Sequence, residues 1–192
     1  MPKLTQVKET KRGRYALFFD GEFAFSLDED TFAMAGLHTG DELEEWQIHD
    51  LQTKSDTRKA VDKAMDLLAL RDHAAGELYQ KLCRSFDPHS AAAAVAKMQE
   101  LNLLDDAGFA RRRAAELLRK RKSRRAILDD LHAKGIDRGT AAEAVEALFA
   151  QSEEDEEENP ELANARALVE RHYAAKLAQG KWQQAAAALA RR

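Results

Sequence analysis

"ELYQKLCRSFDPHSAAAAVAKM" (residues 77–98) and "AILDDLHAKGIDRGTAAEAVEAL" (residues 126–148) are two versions of one pattern. Aligned with one residue fewer in the first turn, Leu78, Leu82, Phe86 and Asp87 fall on Ile127, Leu131, Ile136 and Asp137. Similarity at this scale marks a copied supersecondary unit, each copy burying part of its apolar face on a neighbour. Within and around both copies the apolar residues recur at helical spacing, so the unit predicts as three helices. A weaker third copy follows in "NPELANARALVERHYAAKL" (159–177) and "KWQQAAAALARR" (181–192), where Leu189 takes the place of Leu82 and Leu131. The sequence stops before that copy's third helix.

The helix boundaries carry their own signals. Asp87-Pro88 is an N-cap followed by proline at the first helical position, and Asp105 or Asp106 caps a helix opening at Ala107. Ser123 caps the next helix, Gly135 ends it in the left-handed conformation, and Thr140 with Glu143 offers a capping box.

The first sixty residues obey a different period. "RYALFFDGEFAFSL" (14–27) is two runs of β-formers around Asp20-Gly21, a type I′ hairpin turn. A two-residue loop pairs Phe19 with Glu22, Phe18 with Phe23, Leu17 with Ala24 and Ala16 with Phe25. "KLTQVKE" (3–9) supplies a third strand, and a short helix stopped near Gly36 covers the aromatic face. The fold class is therefore mainly α: tandem three-helix, helix-turn-helix-like repeats in an elongated array behind a small β-rich module. The expected divisions are a β-hairpin module at 1–57, repeats at 58–105 and 106–150, an acidic linker at 151–160 and an incomplete repeat at 161–192.

Composition agrees. The 192 residues are 44% hydrophobic but only 7% aromatic, with abundant Ala, Leu, Glu, Lys and Arg, as a helical protein with its own core requires. No run of about eighteen apolar residues reads as a membrane span, and "MPKLTQVKET" has no apolar signal region. A single cysteine, Cys83, forms no internal disulfide, fits a reducing compartment and reads as a buried, inert thiol. The expectation is a cytoplasmic protein.

Chemistry-bearing motifs are sparse. There is no Gly-rich phosphate loop, no His-Glu-x-x-His, no cysteine cluster and no Gly-x-Ser-x-Gly. His38, His49, His73, His89, His132 and His172 stand too far apart for a ligand set and read as surface or capping residues. No catalytic residue, metal or cofactor is expected.

Charge is where the sequence departs from a bland helical protein. The chain carries a net −4, yet residues 111–125 hold nine basic side chains against Glu116 alone. At about 100° per residue, Arg111, Arg112, Arg119 and Lys122 share roughly a quarter turn, opposite a core stripe of Ala110, Ala114, Leu117 and Leu118. Solvated helix faces interleave acids with bases; this one does not. Arg111, Arg112, Arg119, Lys120, Lys122, Arg124 and Arg125 are the candidate contacts for phosphates or for an acidic protein groove. A phosphate-facing stripe carries no base code, so sequence-specific reading is not implied. The opposite extreme, six consecutive acids at 153–158, reads as a solvated linker, with backbone mimicry or docking onto the basic block as alternatives.

"LLALRDHAAGELYQKL" (67–82) with "FDP" (86–88), "LNLLDDAGFARR" (101–112) and "ILDDLHAKGID" (127–137) together resemble the RecX family, bacterial regulators of the recombinase RecA. The resemblance covers residues 58–150 well and 160–192 loosely, and the N-terminal stretch looks like the β-rich extension found on a subset of that family. It implies a curved array of three-helix units lodged in the groove of a RecA filament on DNA, limiting filament growth, ATP hydrolysis and strand exchange. The implied protein is a non-enzymatic regulator in DNA repair, recombination and the SOS response, acting as a monomer. Its implied partners are the RecA filament and single- or double-stranded DNA, with no membrane. A helix-turn-helix DNA-binding regulator and a protein-only scaffold are the rival readings of the same helices.

Overall fold

The computed structural model describes residues 1–11, 13–155 and 160–189. Its backbone divides into two compact units, one made of residues 1–71 and 78–103, the other of 72–77 and 104 onward.

In the first unit, β1 (Leu4–Glu9), β2 (Arg14–Phe19) and β3 (Glu22–Asp28) form an antiparallel sheet in that order. Asp20 and Gly21 take φ of 51° and 88°, as a type I′ turn requires. The register follows the expected Phe19–Glu22 and Phe18–Phe23 pairs and then slips, so that Leu17 faces Phe25 and Ala16 faces Ser26. Ala24 is the extra residue of a β-bulge. Without it, Phe25 and Leu27 would point away from Leu17; with it, all three share the buried face with Leu4, Phe19, Leu43 and Leu51. Phe18 and Phe23 lie edge to face, 5.7 Å between centroids, on the other side.

Helix α1 (Glu29–Ala35) is capped by the Asp28 carboxylate, which accepts from the Thr31 N–H at 3.0 Å, and it ends at Gly36. Phe32 and Ala35 lie against the sheet, but α1 buries none of its residues fully, and the rest of the cover comes from Leu43, Ile48 and Leu51. The last two belong to α2 (Glu45–Leu70). This one helix runs unbroken through residues 57 and 58, where the sequence places a module boundary. It can do so because its two halves bury different faces: Leu51 and Ser55 meet the sheet, and Ala60 and Ala64 are buried in the half beyond. The Ser55 hydroxyl donates to the Ser26 carbonyl of β3 at 2.6 Å, and the Arg14 guanidinium donates to the same carbonyl at 2.9 Å. α3 (Ala75–Leu82) contributes the buried Leu78 and Leu82, and α4 (Pro88–Glu100) packs on α2 through Ala91, Ala94 and Met98. The Asp87 cap on α4 is as the sequence expects, accepting from the His89 and Ser90 N–H groups at 2.9 and 3.0 Å.

The second unit is built on α5 (Asp106–Arg119), α6 (Arg124–Ala133) and α7 (Arg138–Asp155). Ala110, Ala114 and Leu117 of α5 join Ile127 and Leu131 of α6 and Ala141, Ala144, Val145 and Phe149 of α7 in one core, which also takes in Ala74. The cap of α7 is Asp137, whose carboxylate accepts from the Thr140 N–H at 3.0 Å, and not the Thr140 box. Aspartate therefore caps the third helix of both copies. α7 also continues to Asp155, through the first half of the expected linker; residues 156–159 lie outside those described. The third copy forms α8 (Pro160–His172), α9 (Ala174–Ala178) and α10 (Trp182–Leu189), with Ala185 buried and Trp182 63% exposed.

Two single-residue expectations are corrected. Cys83 is exposed, because it falls one position beyond Leu82, where α3 has ended. Its hydrogen bond with the Tyr79 hydroxyl raises that phenol above its usual pKa. His73 is buried at 3% exposure, whereas the other five histidines are exposed. Among the described residues, no helix is long and apolar enough to cross a membrane.

Candidate anion-binding surface

Helix α5 begins where Asp105 accepts from the Gly108 N–H at 2.8 Å. Asp106 is turned to a different task, accepting from the Ala75 N–H at 2.8 Å and so capping α3 from outside that helix. With Gly108, Ala110, Ala114 and Leu117 buried, the small side chains bring α5 close to α7 and leave Arg111, Arg112 and Arg119 on the exposed face. Arg111 also lines a cleft of about 230 Å³ with Ala107, Thr140, Glu143, Ala144 and Ala147.

The helix stops in a double hydrogen bond at its C-terminus: the Lys122 N–H reaches the Leu117 carbonyl at 3.0 Å and the Arg121 N–H the Leu118 carbonyl at 2.8 Å. This arrangement places Arg121 in the left-handed region, at φ 58°, where glycine is usual. Lys120 and Lys122 therefore sit in a turn. Lys122 is not on the helical face that a 100° wheel assigns to it. Ser123 then accepts from the Ala126 N–H at 3.3 Å, and α6 opens on Arg124 and Arg125 with no acid in its first turn. Two cations there oppose the helix dipole, each at a cost of about 0.3–1 kcal/mol, which an anion at this end would relieve.

The structure separates the basic block by its partners. Arg113 is structural: it donates to Asp130 at 2.8 and 2.9 Å and to Glu116 at 3.0 Å, and it is only 26% exposed. The carboxylates raise its pKa, and it holds Asp130 below the usual carboxylate range. Lys120 pairs with Glu116, whose carboxyl is lowered first by that lysine and then by Arg113. Arg112 pairs with Asp72 at 2.7 Å, and Arg124 with Glu146 at 3.5 Å while lying 5.7 Å from the Phe149 ring centroid. Arg111, Arg119, Lys122 and Arg125 are exposed and have no ion pair among the described residues. Among the described residues, three of the seven candidate cations thus have a carboxylate partner and four do not. Arg121, in the same turn, and Arg138, at the start of α7, are also exposed with no ion pair among the described residues, and both lie outside the seven. Arg138 is the first residue of α7, directly after its Asp137 cap. The Lys120–Glu116 pair is readable from i, i+4 spacing, whereas Asp72, Asp130 and Glu146 are distant in sequence from the cations they meet.

A three-stranded module followed by triple-helix units, one of them presenting exposed cations with no ion pair among the described residues, defines an α-helical repeat protein. A family model described as RecX, second three-helix domain, matches residues 105–145, which hold α5, the basic turn, α6 and the start of α7. The chain is 27% identical over 151 residues to the regulatory protein RecX of Caldanaerobacter subterraneus subsp. tengcongensis, covering 78% of this chain and 77% of that protein. It is 31% identical over 179 residues to the Lactobacillus gasseri regulatory protein RecX, covering 92% of this chain and 64% of that one. For the Bacillus velezensis protein of the same name the identity is 30%, over 77% of this chain and 58% of the relative. The chain thus spans somewhat less than two thirds of the latter two. A crystal structure of a regulatory protein RecX shares the fold at a TM-score of 0.67 and 20% identity, over 99% of this chain and 93% of that one. That of RecX from Lactobacillus salivarius does so at 0.57 and 18%, over 70% and 85%. This chain belongs to the RecX family.

Proposed function

We propose that the protein is a non-enzymatic regulator of the RecA recombinase that binds the RecA–DNA filament in the cytoplasm and limits filament growth, ATP hydrolysis and strand exchange. Its three-helix repeats, divided at 58–105, 106–150 and 161–192, act as the docking modules. The observation that carries this reading is the set of four cations, Arg111, Arg119, Lys122 and Arg125, that α5, the turn after it and α6 leave exposed without carboxylate partners among the described residues. They lie inside the segment that matches the RecX second three-helix domain. A rigid cationic surface of this kind suits both the phosphates of filament DNA and the acidic surface of a protein polymer.

The test is ATP hydrolysis by RecA on single-stranded DNA as this protein is added. The expected result is progressive slowing, relieved when Arg111, Arg119, Lys122 and Arg125 are changed to alanine. Unchanged hydrolysis at one protein per recombinase subunit refutes the reading.

A further inference from the structure

From Arg171 to residue 192 the sequence holds five lysines and arginines and no aspartate or glutamate. The backbone gathers two of these cations, Lys176 and Lys181, with the aromatic residues Tyr173 and Trp182. α9 ends in a double hydrogen bond: the Lys181 N–H reaches the Lys176 carbonyl at 2.9 Å and the Gly180 N–H the Leu177 carbonyl at 2.9 Å, with Gly180 at φ 72°. Lys181 is thereby folded back onto the last turn of α9, and Trp182, the next residue, opens α10. At the start of α9, Tyr173 is the N-cap residue, and the Lys176 ammonium lies 5.8 Å from its ring centroid. Arg171 stands two residues before that cap, in the last turn of α8. Arg171, Lys176 and Lys181 are exposed and have no ion pair among the described residues, and the Trp182 side chain beside them is 63% exposed. A flat apolar ring framed by cations without carboxylates complements a polyanion that itself offers flat apolar faces. Single-stranded nucleic acid has that chemistry: its bases stack on aromatic rings while its phosphates meet lysine and arginine, whereas a duplex keeps its bases stacked on one another.

We propose that the α9–α10 turn is a second nucleic-acid contact, at which a base of single-stranded DNA stacks on the Trp182 indole and Arg171, Lys176 and Lys181 hold the flanking phosphates. This rests on the reading of DNA as a partner given above. It adds a contact to a base where the α5–α6 cations contact phosphates alone, and it makes the third copy the part of the chain that distinguishes a single strand from a duplex. Every base has a π-face, so the contact is tolerant of sequence.

Trp46 and Trp182 are the two tryptophans of the chain, so in a full-length Trp46→Phe background Trp182 is the sole indole reporter. Oligothymidylate should quench its emission, and an abasic strand of the same length, which keeps the phosphates and lacks the bases, should not. Binding itself is followed by the anisotropy of end-labelled strands. Binding of oligothymidylate without quenching overturns the proposal and leaves the anion-binding reading standing; no binding of any strand at low salt overturns both. Trp182→Ala should weaken binding of oligothymidylate roughly tenfold and leave the abasic strand unaffected, and Trp182→Phe, which keeps a ring, should restore most of the loss. Equal losses on the two strands, or no recovery with phenylalanine, overturn the stacking contact. Lys176→Ala with Lys181→Ala should lower the slope of log affinity against log salt by about 1.4, at ~0.7 per phosphate contact, and an unchanged slope removes these lysines from the site. A Trp182 emission that shifts with protein concentration before any DNA is added gives this face to a second copy of the chain and overturns the proposal.

Discussion

Gly76, in the first turn of α3, and Gly135, at the end of α6, approach so closely that a Cβ on Gly76 would lie 2.7 Å from the Cα of Gly135, and the reverse. The contact is one of several that hold residues 72–77 in the second unit. Glu77 pairs with Lys134 at 3.0 Å, Ala75 is capped by Asp106, and Ala74 enters the core.

Gly76→Ala should therefore destabilise the protein by about 2 kcal/mol, since the obstructing atoms are backbone and have no rotamer to yield. Gly135→Ala should cost more, because its φ of 81° adds conformational strain to the same collision. Urea denaturation measures both, and a Gly76→Ala variant as stable as the parent would contradict the close approach.

The Arg113–Asp130 pair predicts a pH effect. Asp130 is held below its usual pKa chiefly by the hydrogen bonds from Arg113. The unfolded chain, with an aspartate pKa of about 3.9, binds more protons in the interval above the folded value. Stability from the pair is thus fully present at neutral pH and is lost as pH falls through the folded value. Arg113→Met should cost about 2 kcal/mol at neutral pH, because it strands a partly buried carboxylate, and should flatten the acid limb of the stability profile. Thermal melts from neutral to acid pH give the slope; parallel profiles for parent and variant would rule out this coupling.

Arg121 pays for its left-handed backbone. Arg121→Gly should raise stability by about 0.5 kcal/mol, the remainder after the greater freedom of glycine in the unfolded chain is subtracted. Arg121→Ala retains the unfavourable φ and should gain nothing. A higher Tm for glycine but not for alanine is the expected pair of results, and equal shifts would point to charge removal instead.

The division of cations by partner predicts unequal roles. Changing Arg111, Arg119, Lys122 and Arg125 together to alanine should weaken binding to single-stranded DNA and reduce the slope of log affinity against log salt by about 3, at ~0.7 per phosphate contact. Changing Arg112, Lys120 and Arg124 should reduce it by less, since Asp72, Glu116 and Glu146 already neutralise them. Equal reductions per charge removed in the quartet and the triad would show that the internal pairs open on binding.

Much of this architecture is written in short windows of sequence. The matched Leu78/Leu82 and Ile127/Leu131 pairs, the Asp87 and Ser123 caps and the Asp20-Gly21 turn are each set by hydrogen bonds or periodicity within a few residues, so the primary structure alone specified the helices, the hairpin and the repeat. Tertiary contact decided what depends on distance through space. It inserted Ala24 as a bulge because Phe25 and Leu27 must face the core, and carried α2 across the expected boundary because its two ends have different neighbours. It also chose which cations stay free, because Asp72, Asp130 and Glu146 come from elements remote in the chain. Charge pairing falls off over a few ångströms of space and takes no account of sequence separation, whereas helix caps and turns are closed by the residues next to them.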